Sequence, residues 1–73
     1  MEFKTVYNRG KLRLHTGNTE GALADLDKAT TLKPQHAGAH ECFGDALTQA
    51  GKEMEAAIQY RLAEELRKRK NNS

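Results

Sequence analysis

The apolar positions of the chain recur in four segments with the three- and four-residue spacing of an amphipathic helix. Pro34 closes the second segment and Gly51 the third, and both are residues at which helices end. No segment alternates with the two-residue period of a strand. We therefore predict an all-α domain with helices over residues 3–16, 19–32, 37–50 and 52–70. The clearest stripes are Ala22, Leu23, Leu26, Ala29 and Leu32, and Ala39, Phe43, Ala46, Leu47 and Ala50.

The segments between the predicted helices are short, so consecutive helices should pack antiparallel as two stacked hairpins. Gly17 suits the left-handed conformation that ends a helix, and Asn18 or Thr19 can cap the next one. Gly10 and Gly44 fall inside helices, where glycine costs up to about 1 kcal/mol relative to alanine. Two glycines in equivalent places indicate close approach of a neighbouring backbone.

Several small and apolar residues recur 34 positions later in the chain. Ala22 and Ala56 belong to this set and would supply the small residues opposite the two mid-helix glycines. A period of this length is typical of helical repeats. The five identities are Gly10 with Gly44, Gly17 with Gly51, Ala22 with Ala56, Ala29 with Ala63, and Leu32 with Leu66.

These residues resemble the tetratricopeptide repeat, a helix–turn–helix unit of 34 residues. The resemblance implies one domain over residues 3–70, with repeats 3–36 and 37–70 in a right-handed stack, followed by a polar tail at 71–73. Arg9 and Arg13 depart from the apolar pattern, so the first helix is expected to be partly polar, frayed or an atypical end unit. His40 replaces a large aromatic side chain, and Lys68 stands where the closing proline would be. The matching residues are Val6, Gly10, Ala22, Leu26, Ala29 and Pro34, and His40, Phe43, Gly44, Leu47, Ala56 and Tyr60.

Similarity to this family implies a non-enzymatic scaffold that binds a peptide or protein segment on its concave face. The alternative is that the same positions are only the solvated faces of two helices. Tyr7, Lys11 and Cys42 do not match the family's clamp for the carboxylate of chaperone peptides, so that ligand is not expected. One half of the implied groove is basic and the other acidic, which would suit a segment of mixed charge. The groove positions are Lys4, Tyr7, Asn8, Lys11, Leu14, His15, Glu41, Cys42, Asp45, Thr48 and Gln49.

The last helix carries an apolar stripe of its own, made of Met54, Ile58, Leu62 and Leu66. We expect this stripe to lie on the face that would meet a third repeat, because the residues equivalent to Ile58 and Leu62 in the second helix are small or polar. It suggests a homodimer or another assembly of copies, or else a fragment cut from a longer repeat array, since a repeat array needs polar ends to be stable alone. The alternative is that the stripe folds against the first repeat.

The chain has 12 basic and 10 acidic side chains, and four of the basic ones are consecutive at residues 67–70. This basic end is a third candidate contact surface, for nucleic acid or an anionic membrane. The simpler explanation is that basic residues complement the dipole at the end of a helix. A nucleic-acid partner is therefore not expected.

Catalytic and metal-binding residues are sparse. Cys42 is the single cysteine, which fits a reducing cytoplasmic compartment. His36 and His40 are four residues apart, but His36 precedes its helix, and His40 and Cys42 point to different faces. His15 is a distant candidate for a base that could activate Cys42. We expect no enzyme activity, no metal, no cofactor and no membrane segment.

Overall fold

The computed structural model describes residues 2–71 and the surroundings of side chains through residue 69. The described residues form four helices: α1 (Glu2–His15), α2 (Thr19–Leu32), α3 (Ala37–Gln49) and α4 (Glu53–Asn71). The described part of the chain contains no strand, so the predicted all-α class is confirmed. Each boundary lies within one residue of its predicted place. Asn71, the first residue of the predicted tail, belongs to α4, and residues 72–73 lie outside the described part.

The C-terminal ends of α1 and α3 have the same backbone conformation and the same hydrogen bonds. Gly17 and Gly51 have φ angles of 83° and 82°, so both adopt the left-handed conformation that glycine enters without steric cost. After each glycine, the amide of Asn18 or Lys52 donates over 2.8 Å to the carbonyl five residues earlier. The Asn18 side chain then accepts from the backbone of α2, as predicted for a cap. Local chemistry at the turns therefore accounts for both hairpins.

The two helices of each hairpin are antiparallel, and the packing of α2 against α3 joins the two hairpins. Within each hairpin, residues early in the first helix contact residues late in the second. Among the described side chains, nine hydrophobic residues are buried and six of them are alanines, so the helices approach closely through small side chains. Leu26 is the largest fully buried side chain. The contacts that show the orientation are Glu2 with Lys28, Gly10 with Leu26, Glu41 with Arg67, and Gly44 with Tyr60.

The mid-helix glycines meet side chains, which corrects the prediction of close contact between backbones beside Ala22 and Ala56. A Cβ atom on Gly10 would lie 2.9 Å from Cγ of Leu26, and one on Gly44 would lie 2.8 Å from the ring of Tyr60. Leu26 and Tyr60 are themselves 34 residues apart. The glycines therefore make room for the large side chain at one repeated position of the facing helix.

Arg9 and Arg13 do not fray α1, contrary to the expectation from their polarity. Both guanidinium groups bind the carboxylate of Asp25, a side chain of α2 that is only 4% exposed. Arg9 donates two hydrogen bonds of 2.9 Å, and Arg13 donates one of 3.1 Å. These hydrogen bonds lower the pKa of Asp25, with Arg9 as the largest cause. The first hairpin is thus stabilised by polar contacts of Arg9 and Arg13, whereas the equivalent residues of the second hairpin are the apolar Phe43 and Leu47.

Candidate functional site

The predicted groove is a surface formed where α1 and α3 lie side by side. Seven of its eleven residues are exposed and four are half-buried. The Cys42 thiol lies 3.9 Å from the Tyr7 hydroxyl, and the Gln49 amide donates over 3.0 Å to the Leu14 carbonyl. These two contacts bring the predicted α1 and α3 positions into one continuous face.

Three of the predicted groove residues also support the core. Tyr7, Leu14 and Cys42 pack against the cluster of Ala22, Leu26 and Ala46. Burial is the main reason why the pKa of Tyr7 rises to about 12, and burial also raises the pKa of Cys42. A thiol that resists ionisation is a weak nucleophile at neutral pH. These side chains therefore form the floor of the face.

The acidic half of the face is held by α4. Both carboxylate oxygens of Glu41 accept hydrogen bonds from Arg67, at 3.0 and 3.4 Å. The Tyr60 hydroxyl donates to Asp45 and lies 3.5 Å from the Thr48 hydroxyl. Sequence periodicity could not show these pairs, because it does not specify how α4 lies across α3. The acidic residues are thus already partnered within the chain.

The other three α1 positions are less well joined to the face. Lys4, Asn8 and His15 are exposed, and none makes a hydrogen bond or ion pair with α3 among the described residues. Lys4 is seven residues from Lys11 and shares a helix face with it. The imagined pairing of His15 with Cys42 is not formed, since the hydrogen-bonding neighbour of Cys42 is Tyr7.

A cluster of rings and ammonium groups overlaps the predicted groove at Tyr7 and Lys11, and sequence reasoning did not assign its other members to a site. We call it the cation–ring patch: Phe3, Tyr7, Lys11, Lys33 and His36. The ring centroids of Phe3 and Tyr7 are 4.9 and 5.0 Å from that of His36. Nζ of Lys11 lies 4.5 Å from the centroid of Tyr7, and Nζ of Lys33 lies 4.9 Å from that of Phe3. The patch gathers α1, the end of α2 and the start of α3.

His36 has a structural task within this patch. Its Nδ1 atom accepts a hydrogen bond of 3.0 Å from the Ala39 amide and so caps α3. Burial lowers the pKa of His36, and the positive charges of Lys33 and Lys11 act in the same direction. The neutral ring is therefore favoured, which keeps Nδ1 available as an acceptor. Phe3 and Tyr7 are four residues apart and share one side of α1, which the sequence shows, whereas His36 lies far along the chain and joins them only in the folded structure.

His40 occupies a buried packing position, as proposed from its place in the repeat. Its Nε2 atom lies 2.7 Å from the Pro34 carbonyl, and its Nδ1 atom lies 2.7 Å from Oε1 of Gln59. Within the described residues, no three His, Cys, Asp or Glu side chains come together as a metal site would require. The two histidines considered as ligands both use ring nitrogens in contacts inside the chain.

The apolar stripe on α4 is largely exposed. The exposed fractions of Met54, Ile58 and Leu62 are 86%, 58% and 42%, so these side chains do not fold against the first repeat. Leu66 is half-buried and lines clefts beside Gln35. The stripe also lies on a different face from the one we expected. Its α2 equivalents, Glu20, Ala24 and Lys28, are exposed, whereas the α2 residues that meet α3 are Ala22, Leu26 and Ala29.

The basic end of the chain is only partly available for another contact. Arg67 binds Glu41, while Lys68 and Arg69 are exposed. The side chain of Lys70 lies outside the described part of the chain. The basic residues at 67–69 therefore differ in the structure, because one is paired within the chain and two are exposed, although the run looks uniform in the sequence.

Comparison with known proteins returned no family model, no curated protein and no solved structure that matches the chain. Across the described residues, no helix combines the length and the apolar character needed to cross a membrane.

Proposed function

We propose that the chain is a non-enzymatic scaffold, built from two tetratricopeptide-like repeats, that binds a protein segment on the face between α1 and α3. The observation that carries this proposal is the seam formed by the Tyr7–Cys42 and Leu14–Gln49 contacts. Half-buried side chains form its floor and exposed polar side chains form its walls. Such a face offers both apolar contact and hydrogen bonding to an extended segment. A cytoplasmic location, expected from the single cysteine, belongs to the same proposal.

Selection from a displayed library of random peptides tests this function without assuming the charge of the ligand. We expect Thr48→Arg to weaken binding of the selected peptides by at least about tenfold, because a long side chain would obstruct the face. Thr31→Arg is the matched control, because Thr31 and Thr48 are both exposed and both hydroxyls bond the carbonyl four residues earlier. Its effect should stay below about twofold. Peptides that bind equally well to both variants, or a selection that yields none, would contradict the proposal.

A second candidate function is self-association through Met54, Ile58 and Leu62, and their exposure is the observation that favours it. Burying apolar surface contributes roughly 25 cal/mol per Å², so a second copy could cover the stripe favourably. The stripe is short compared with the interface of a stable dimer, which typically buries about 1,200–2,000 Å² in total. We therefore rank self-association below segment binding.

Sedimentation equilibrium over a concentration series tests the second candidate. A dimer that forms through the stripe should be lost in Leu62→Glu, because a carboxylate would be buried in the interface. Leu12→Glu is the control, since Leu12 is an exposed leucine of α1 that lies outside the stripe, with 61% exposure against 42% for Leu62. A chain that stays monomeric at millimolar concentration would rule out this function.

A further inference from the structure

The charges on the α1–α3 face are unequal in a way that the sequence does not show. Glu41 is paired with Arg67, and Asp45 accepts a hydrogen bond from Tyr60. By contrast, the described residues contain no carboxylate within ion-pairing distance of Lys4, Lys11 or Lys33. The unpaired charge along α1 and the α2–α3 turn is therefore positive.

The two lysines of the cation–ring patch are positioned by rings. A ring attracts an ammonium group through its quadrupole but carries no net charge, so the charges of Lys11 and Lys33 remain uncompensated. Contact with the rings also restricts the long side chains before any ligand arrives. This reduces the conformational entropy that an ion pair at the surface would otherwise lose.

Open space adjoins the patch on the side of the α2–α3 turn. A cleft of about 440 Å³ is lined by Lys33, Pro34, Gln35 and His36. A second cleft, of about 370 Å³, continues from His36 along the start of α3 to Leu66 and Arg67. An extended segment could therefore run past His36, with Lys33 in the first cleft and Lys11 over the neighbouring Tyr7 ring. The exposed parts of the rings would accept an apolar side chain.

We propose that the segment bound by this protein is acidic, with carboxylate side chains that pair with Lys11 and Lys33 and an apolar side chain that packs on the rings between them. This assignment rests on the proposed segment-binding function and specifies its ligand class. It replaces the mixed-charge segment expected from the sequence, because the carboxylates of Glu41 and Asp45 already have partners on α4. Side-chain carboxylates suffice for this contact, so a free peptide C-terminus is not required.

The test uses the full chain and three labelled peptides of equal length, with alternating Glu-Leu, Gln-Leu or Lys-Leu residues. Fluorescence anisotropy at low ionic strength should show the glutamate peptide binding at least about tenfold more tightly than the glutamine peptide. Lys11→Gln and Lys33→Gln should each weaken the binding of the glutamate peptide by about fivefold. Lys52→Gln should leave it unchanged, because Lys52 lines a separate cleft with Asp27 and Glu55. Added salt should reduce the preference.

Nuclear magnetic resonance of His36 gives an independent readout. Bound carboxylates would offset the positive charges of Lys33 and Lys11, so the pKa of His36 should rise with the glutamate peptide and not with the glutamine peptide. Equal binding of all three peptides, insensitive to the lysine variants, would overturn the acidic assignment and leave segment binding in place. No binding by any of the three would also overturn it, and the random-library selection would then decide the wider function.

Discussion

Replacing Arg9 and Arg13 together by methionine is expected to lower the free energy of unfolding by about 3 kcal/mol at neutral pH. Methionine retains most of the apolar stem of arginine and removes only the charged head group. The carboxylate of Asp25 would then remain buried with none of the three guanidinium hydrogen bonds that it now accepts. A buried charge without partners carries the full cost of its desolvation.

The contribution of Asp25 to the pH dependence of the free energy of unfolding should change sign with the same double substitution. In the parent chain the pKa of Asp25 is lowered, so its contribution is present above the unfolded value and is lost as pH falls through the folded value. Without the arginines, burial alone acts on the carboxyl and raises its pKa. The folded variant then binds the proton more tightly than the unfolded chain does. The difference in the free energy of unfolding between the parent chain and the variant should therefore shrink as pH falls from about 7 to about 4.

Urea unfolding of the parent and the double variant at several pH values measures both effects. Arg61→Met with Arg69→Met is the matched control, because both arginines are exposed and lack a carboxylate partner among the described residues. Its effect should stay within about 0.5 kcal/mol. Adding Asp25→Leu to the first pair should recover most of the lost stability, because no buried charge would remain. A loss below about 1 kcal/mol that does not vary with pH would contradict the role given to Asp25.

The two mid-helix glycines should respond differently to the same substitution, although they occupy equivalent places. Gly10→Ala is expected to cost about 2 kcal/mol, because its methyl group would overlap Leu26, which is fully buried and has nowhere to move. Gly44→Ala should change stability by less than about 0.5 kcal/mol. Its methyl group meets the ring of Tyr60, which is 37% exposed and can turn outward. The gain in helix propensity then offsets the displacement.

Thermal and urea unfolding of the two single variants provide the comparison, and each variant controls for the helix propensity of the other. A smaller substitution effect at Gly10 than at Gly44 would show that Leu26 yields more easily than its burial implies. Because the Tyr60 hydroxyl donates to Asp45, Gly44→Ala should also disturb the acidic half of the α1–α3 face. Peptide binding measured on this variant would report that disturbance separately from stability.

Helical spacing indicates which residues of the candidate site share one side of a helix, and the role of each residue depends on contacts between helices. The predicted α1 positions lie on one side of α1 and the predicted α3 positions on one side of α3, because helical spacing determines which residues of a helix lie on the same side. The contacts of Tyr7 with Cys42 and of Leu14 with Gln49 then join the two sides. Periodicity could not show that Tyr7 and Leu14 also pack on the core. It also could not show that Glu41 and Asp45 are partnered by α4, since those contacts cross between helices.

Some long-range contacts had a signal that a closer use of the sequence would have found. Asp25 is a polar residue within the apolar stripe of α2, and a buried acid usually has a partner. In an antiparallel hairpin that turns near Gly17, Arg9 lies opposite Asp25. The pattern of each helix by itself does not show this ion pair, which becomes visible when the residues of α1 are aligned with those of α2 across the turn.

The sequence by itself determined the four helices, their ends and their pairing into hairpins. These features depend on local chemistry: the left-handed glycines at 17 and 51, the Asn18 cap and Pro34 act within a few residues of their own positions. Only the tertiary structure decided which charges stay unpaired, where the cation–ring patch forms and that the α4 stripe remains exposed. Those properties depend on how the helices lie against one another, and side-chain spacing along one helix carries no information about that geometry.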